Sequence, residues 1–250
     1  MVNLLNYPIA LAVVSFLVMW AAAYLGARLT IFRGLAPKEH EEFNLVLGST
    51  LTLLGLIIGF AFSMAVGRYD QRKNYEEEEA NAIGTEYVRA DLLPAAEADK
   101  VHDLLKQYLQ NRIQFYEARR SNLLAINAAT TQLQNEMWSA VAAAANTQPT
   151  PITALAVSGM NDVLNRQGYT QAAWWNRIPV AAWSFMGAIA ICCNLLIGLA
   201  AREAKAHASL VVLPIVLAIA FVLLADLDSP RGGIIRVSPQ NLLSLADSMR

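Results

Sequence analysis

Four long stretches of this chain contain no charged side chain, and they limit what it can fold into more than any other feature. Charged residues make up 16% of the 250 residues and hydrophobic residues 56%, whereas a soluble domain carries about 25% charged residues. A helix needs about 20 apolar residues to cross a bilayer, so three of the stretches are long enough and the fourth is marginal. The charge-free stretches are residues 2–27, 43–67, 178–201 and 208–225.

This pattern predicts an all-α membrane protein with four transmembrane helices, at roughly residues 8–30, 44–67, 178–201 and 208–226. Buried helices of a soluble core are the alternative, which the number and length of the stretches disfavour. The first stretch does not have the form of a signal peptide, because its apolar part is too long and no basic segment precedes it. We expect transmembrane helices at 1–67 and 178–226, an extramembrane domain at 68–177 and a C-terminal tail at 227–250.

The extramembrane domain is predicted to be helical. Residues 68–177 carry 11 basic and 13 acidic side chains, which is typical of a solvated region. Apolar residues recur at helical spacing from Val101 to Tyr116, and strand-like alternation is not found. Pro94 and the segment NTQPTP are the clearest breaks. We therefore expect three or four helices in this domain, some of them continuous with the membrane helices.

The orientation in the membrane follows from the basic residues. Four spans place both termini and the 68–177 domain on one side, and the two short connections on the other. Basic residues are favoured in cytoplasmic loops, so their number in the connections favours an external domain by a small margin. The connections carry Arg28, Arg33, Lys38, Arg202 and Lys205, and the tail carries Arg231, Arg236 and Arg250.

A stripe of small and polar residues begins in the second span and continues beyond it. Its members are spaced by three or four residues, which places them near one face of a helix. Within a membrane, small residues four apart allow helices to approach closely. The members of this small-polar stripe are Gly59, Ser63, Gly67, Asp70, Asn74, Glu78, Asn81 and Thr85.

Two interpretations of the stripe are open. In the first, the glycines pack against a neighbouring helix and the polar part is simply hydrated. In the second, the stripe or the row beside it lines a water-filled path on a symmetry axis. The adjacent row is Leu56, Phe60 and Met64, and a ring of such residues forms a hydrophobic constriction that gates by dewetting. Spacing alone favours packing, which is the more common use of such stripes.

An acidic block at residues 76–79 raises the question of a cation site. Four consecutive carboxylates point to all sides of a helix, so a cation would need oxygen ligands from elsewhere in the chain. We consider Glu76 and Glu79, together with Asp226 and Asp228 at the end of the fourth span, as candidate cation ligands. A hydrated helix end is the more common explanation of such a block.

Residues 59–94 resemble the signature of a bacterial family of bestrophin-like membrane proteins. The tail segment DLDSPRGGIIRVS, residues 226–238, is similar to the C-terminal pattern of the same family. The resemblance implies the four-span layout along the whole chain. The matching positions of the first block are Ser63, Arg68, Tyr69, Asp70, Glu79, Ala80, Asn81, Ala82, Ile83, Gly84, Thr85, Leu92, Leu93 and Pro94.

Bestrophins themselves are more distantly similar. They are pentameric anion channels with four spans, a helical cytosolic domain and a second span that lines the pore with a hydrophobic neck. The segment RYDQR, residues 68–72, is similar to the Tyr-Asp-Arg that follows this span in bacterial bestrophins. The chain has KNYEEEE at 73–79, where those proteins have a Trp pair and Gly-Arg-Lys. The resemblance implies cytoplasmic termini and a cytoplasmic domain, and we favour this orientation over the count of basic residues.

The expected function is that of a homo-oligomeric, pentameric bestrophin-like ion channel in the bacterial inner membrane. Its expected partners are the lipid bilayer, further copies of itself and inorganic ions. Kinship with bestrophins favours anions, whereas an acidic pore mouth favours cations. The alternative is a membrane-anchored sensor or scaffold, whose helical domain binds a partner or ligand without conduction.

Enzymatic activity, a cofactor and nucleic-acid binding are not indicated. The three histidines are scattered, the two cysteines are adjacent within a span, and no metal-binding or nucleophile motif is present. The glycines form no phosphate-binding loop. The formal net charge of −1 lacks the basic excess of a nucleic-acid-binding protein.

Overall fold

The computed structural model describes residues 7–32, 37–118, 122–200 and 209–249. Within these ranges the chain forms eight α-helices and no strand. A short 3₁₀ turn at Ala90–Leu92 follows the second helix. The helices are α1 (Pro8–Phe32), α2 (Pro37–Arg89), α3 (Ala95–Glu117), α4 (Leu123–Thr147), α5 (Thr153–Trp175), α6 (Val180–Ala200), α7 (Ser209–Asp228) and α8 (Gln240–Ser248).

The chain divides into two compact units. The first, here called the membrane unit, consists of Met1–Gly67 and Arg177–Ile235. The second, the helical unit, consists of Arg68–Asn176 and Arg236–Arg250. The tail is therefore shared, because its first residues belong to the membrane unit and its last helix, α8, belongs to the helical unit.

The four predicted transmembrane helices are confirmed as helices. Among the described residues, four helices are long and apolar enough to cross a membrane, and they coincide with the charge-free stretches of the sequence. In the membrane unit, α1 packs against α6 and α7, and α6 also packs against α7. The fold class is thus an all-α membrane protein with a helical domain between the second and third spans. The short connections that carry Arg33, Arg202 and Lys205 lie outside the described residues, so the orientation stays a prediction.

Two glycines bring α1 and α6 into backbone contact. A Cβ atom added at Gly26 would overlap the carbonyl oxygen of Leu195, and one added at Gly198 would overlap that of Ala23. Small residues allow such close approach in a membrane, where van der Waals packing is a main source of helix association. Trp183 and Phe221 add an edge-to-face ring contact between α6 and α7, with centroids 6.1 Å apart. These contacts hold three of the four spans together.

Helix α2 continues without a break for 53 residues, from Pro37 to Arg89. Crossing a bilayer takes only about 20 residues, so much of α2 belongs to the helical unit, as the lack of an internal proline predicted. The helix ends in the 3₁₀ turn before Pro94, which precedes the first turn of α3. A proline disfavours helical backbone at the residue before it, which explains the break.

The helical unit has one hydrophobic core. Helix α3 packs against α4 and α8, and α4 packs against α5. The core includes the apolar residues of α3 that the sequence placed on one face, with Val101, Leu105 and Tyr108 fully buried. Leu242 of α8 is also fully buried, so the amphipathic end of the tail docks onto this domain.

Candidate functional site

The exposed face of α2 in the membrane unit is the first candidate site. Leu56, Phe60 and Met64 lie on it with 54%, 64% and 48% of their surface exposed. In the apolar 18-residue segment of α2, only 11% of the residues are buried within the chain. The corresponding share is 28% for α1 and 44% for α7. Helix α2 is therefore the span that the rest of the chain covers least.

The small residues of the predicted stripe lie on the same open side of α2. Ser63 is exposed, and a Cβ added at Gly59 or Gly67 would meet no atom within 4 Å. The buried side of the helix carries Leu54 and Ala61 instead. Among the described residues, Gly59 and Gly67 thus pack against no other helix, in contrast to the close α1–α6 contact described above.

In the helical unit, most of the polar members of the stripe are also exposed. Asp70, Asn74, Asn81 and Thr85 face outward. Glu78 is half-buried and accepts a hydrogen bond of 2.6 Å from the Arg166 guanidinium on α5. The stripe is therefore a polar surface of α2 within this unit, with one member engaged in an ion pair.

Glu76, from the acidic block, caps the N-terminus of α8. Its Oε1 accepts hydrogen bonds of 2.9 Å from the backbone N–H groups of Asn241 and Leu242, and its Oε2 accepts one of 2.6 Å from the Asn241 side chain. The first N–H groups of a helix have no partner within the helix, and Pro239 at the capping position has no side-chain acceptor. Glu76 therefore supplies the cap that the local sequence lacks.

Glu79 forms a buried ion pair with Arg112 of α3, and neither side chain has exposed surface. Its Oε1 accepts a 2.5 Å bond from Arg112 Nε, and its Oε2 accepts bonds of 3.2 Å from the hydroxyls of Tyr116 and Thr170. Burial raises the pKa of Tyr116 and the Glu79 charge raises it further, so the phenol keeps its proton and donates. Glu79 thereby joins α2 to both α3 and α5.

The expectation of a hydrated acidic block is wrong for half of its members. Glu76 and Glu79 are buried, Glu78 is half-buried and only Glu77 is exposed. The helix turns by about 100° per residue, so two of the four positions face the interior of the domain. Of this block, only Glu77 and Glu78 are left to form the predicted acidic pore mouth, with Asp70 as an exposed neighbour.

Asp226 and Asp228, at the end of α7, each hold a neighbouring backbone segment of the membrane unit. Asp226 accepts 2.8 Å hydrogen bonds from the backbone N–H groups of Ile234 and Ile235. Asp228 accepts a 2.9 Å bond from the N–H of Ile178. Gly233 lies so close that a Cβ there would overlap Asp226 Oδ1. Gly233 of the sequence pattern DLDSPRGG thus allows the chain to fold back onto Asp226.

These hydrogen bonds favour a structural role for the four candidate cation ligands, and cation binding by them stays a prediction. Within the described part of the chain, no group of three or more His, Cys, Asp or Glu side chains is placed to hold a metal ion. Each of the four carboxylates accepts hydrogen bonds from donors within its own unit.

Sequence reasoning missed two buried arginines. Arg72 of α2 donates to the carbonyl oxygens of Ala173 and Asn176 at the end of α5, at 3.2 and 3.3 Å. Arg112 holds Glu79. The sequence did contain a signal for Arg112. This residue lies four positions after Tyr108, on the face of α3 where apolar residues recur. Arg72 carried no such signal.

Comparison with known proteins agrees with the observed fold. The model of the bestrophin-like domain family matches residues 10–242. A bacterial bestrophin homolog from Klebsiella pneumoniae, in a single-substitution variant, is similar over 95% of this chain and 93% of its own, with 14% identity and a TM-score of 0.66. A second crystal structure of this homolog, determined by zinc phasing, is similar over 96% of this chain and 95% of its own, with 12% identity and a TM-score of 0.65. No curated protein sequence matches the chain.

Proposed function

We propose that this chain, which belongs to the bestrophin-like domain family, assembles into a homo-oligomeric ion channel with α2 around the central axis. Known members of the family are ion channels. We propose a pentamer in the bacterial inner membrane, with the termini and the helical unit in the cytoplasm. The helical spans among the described residues support the inner membrane, since β-barrels are the usual spanning structure of the outer membrane.

The uncovered face of α2 is the observation that carries this proposal. A helix that faces only lipid needs a continuous apolar surface, yet α2 exposes Gly59, Ser63 and Gly67 with open space above the glycines. Small residues at this spacing suit close contact with another helix. Since no helix in the described part of the chain makes that contact, further copies of the chain are the proposed partners.

Two rows of α2 have separate roles in this proposal. The row Leu56, Phe60 and Met64 lies about 60° around the helix from the small residues, because a helix turns by about 100° per residue. One row therefore faces the axis while the other faces a neighbouring copy. A ring of exposed leucine, phenylalanine and methionine side chains forms the constriction, which closes the path when it dewets.

Flux through liposomes tests the proposal. Purified protein in liposomes should pass ions, and Phe60→Trp should reduce the flux because a larger apolar side chain narrows the ring. The control is Ile219→Trp on α7, since Ile219 is 62% exposed and closely matches the 64% of Phe60. The fluxes of potassium and chloride are measured separately. The similarity to bestrophins favours anions, whereas the exposed carboxylates of Asp70 and Glu77 favour cations.

Two outcomes of the flux measurement distinguish a channel from an anchored sensor or scaffold. A flux that Phe60→Trp lowers and Ile219→Trp leaves unchanged supports a constriction on α2. No flux from the wild-type protein, or equal effects of the two substitutions, contradicts it and favours an anchored sensor or scaffold.

A further inference from the structure

Glu86 is a buried carboxyl group of α2 that no hydrogen bond satisfies. Its side chain has 0% exposed surface, and neither of its carboxyl oxygens has a hydrogen-bond partner among the described residues. It therefore differs from Glu76 and Glu79, whose oxygens accept several hydrogen bonds each. A buried polar group without a partner is costly, and a buried charge without one is far more so.

The carboxyl group of Glu86 lies against Gly159 of α5. A Cβ added at Gly159 would overlap Glu86 Oε2 and would also lie 2.8 Å from Nη1 of Arg89. The missing side chain at Gly159 thus creates the space that Glu86 and Arg89 occupy. This is a close contact between α2 and α5 within the helical unit.

A polar cavity of about 320 Å³ adjoins this contact. Gly159 and Arg89 are part of its wall, so the cavity begins where Glu86 packs. Its charged lining comes from both helices, with Glu78 and Arg89 on α2 and Asp162 and Arg166 on α5. The cavity offers an ionised carboxylate room to move out of its buried position, alongside Arg89 and toward Arg166.

The charge state of Glu86 follows from these surroundings. Burial raises the pKa of Glu86 from 4.5 to about 8, Arg89 opposes the rise and Asp162 adds to it. The carboxyl group is therefore mostly neutral at pH 7. The unfolded chain loses this proton near pH 4.5, so the folded unit becomes less stable as the pH rises from about 4.5 to about 8, and the loss is complete above that range.

We propose that Glu86 is a proton-binding site that locks α2 to α5 at Gly159. The neutral carboxyl group packs in the space left by the missing side chain at Gly159. When it loses its proton, the carboxylate turns toward the adjoining cavity, where Arg89 and Arg166 lie, and the contact between the two helices loosens. This inference concerns packing within the helical unit, so it holds whether or not the oligomer conducts ions.

Hydrogen–deuterium exchange of the full-length protein in detergent tests the lock. We compare wild type with Glu86→Gln, which stays neutral at every pH, for peptides that cover residues 153–166. At about pH 4.5, where the loss has barely begun, the two proteins should exchange alike. At about pH 9 the wild-type peptides should exchange at least about tenfold faster than those of the variant, because each unit of the pKa shift from 4.5 to about 8 corresponds to a factor of ten. Comparing the proteins at the same pH removes the intrinsic pH dependence of exchange.

Two neighbouring substitutions keep the test decisive if Glu86→Gln does not fold. Asp162→Asn removes a charge that raises the pKa of Glu86 and should move the transition to lower pH, whereas Arg89→Gln should move it to higher pH. Glu117→Gln, at an exposed position of α3, is the control and should leave the transition in place. Shifts in these opposite directions support the lock. Equal exchange in wild type and Glu86→Gln at about pH 9, or no shift with Asp162→Asn and Arg89→Gln, overturns it.

Discussion

Substitution of Arg112 by methionine is expected to destabilise the helical unit by about 3–5 kcal/mol, the usual cost of removing one partner of a buried ion pair. Methionine fills much of the space but leaves the Glu79 carboxylate without its cation, in a site with no exposed surface. The hydroxyls of Tyr116 and Thr170 would remain as its donors. Thermal unfolding in detergent, followed by circular dichroism, measures the loss.

A second ion pair of α2 provides the matched control. Arg166 and Glu78 also join α5 to α2, but their side chains are 40% and 42% exposed. Exposed pairs contribute about 0–1 kcal/mol, so Arg166→Met should cost little. The double substitution Glu79→Leu with Arg112→Met should recover most of the stability, because it removes both buried charges. If Arg112→Met is no more harmful than Arg166→Met, the buried pair does not hold the domain together.

Substitution of Phe60 by serine is expected to raise ion flux by about tenfold or more. Contact of a phenylalanine side chain with water costs about 1.5–3 kcal/mol, and each 1.4 kcal/mol in a barrier changes a rate by about tenfold. Serine is small and hydrogen-bonds to water, so a ring of serines would stay wet where a ring of phenylalanines dewets. The rate of ion release from liposomes, normalised to the amount of protein, measures this change.

The same substitution at Ile219 separates gating from general damage. Ile219 of α7 matches Phe60 in exposure, and Ile219→Ser should leave the flux unchanged. Phe60→Ser and Phe60→Trp should act in opposite directions, which a merely disrupted helix would not produce. If serine at position 60 lowers the flux or leaves it at the wild-type level, Phe60 is not part of a hydrophobic constriction.

The membrane architecture could be predicted from the sequence because its cause is local. The cost of placing a charge in hydrocarbon keeps each span free of charged residues, so the spans can be located by inspection. The continuity of α2 was also predictable, since no proline interrupts it before Pro94. The amphipathic pattern of α8 left open whether it lies on the membrane surface or on the domain, and the burial of Leu242 places it on the helical unit.

The interior of the helical unit could not be predicted in the same way, because its contacts join residues far apart in the chain. Glu76 caps a helix that begins more than 160 residues later, and no sequence motif marks that pairing. Glu79 and Glu86 fall on the inner side of α2 only once α3 and α5 are in place. Acidic residues in a row suggest solvent, and the tertiary packing overrides that suggestion for Glu76 and Glu79.

A channel of the proposed kind requires that the uncovered face of α2 meets other copies of the chain around an axis. A single-particle reconstruction of the protein in lipid nanodiscs tests this most directly. We expect rotational symmetry, α2 as the span nearest the axis, and the narrowest point at Leu56, Phe60 and Met64. A monomer, or an assembly in which Gly59 and Ser63 contact acyl chains, would contradict it.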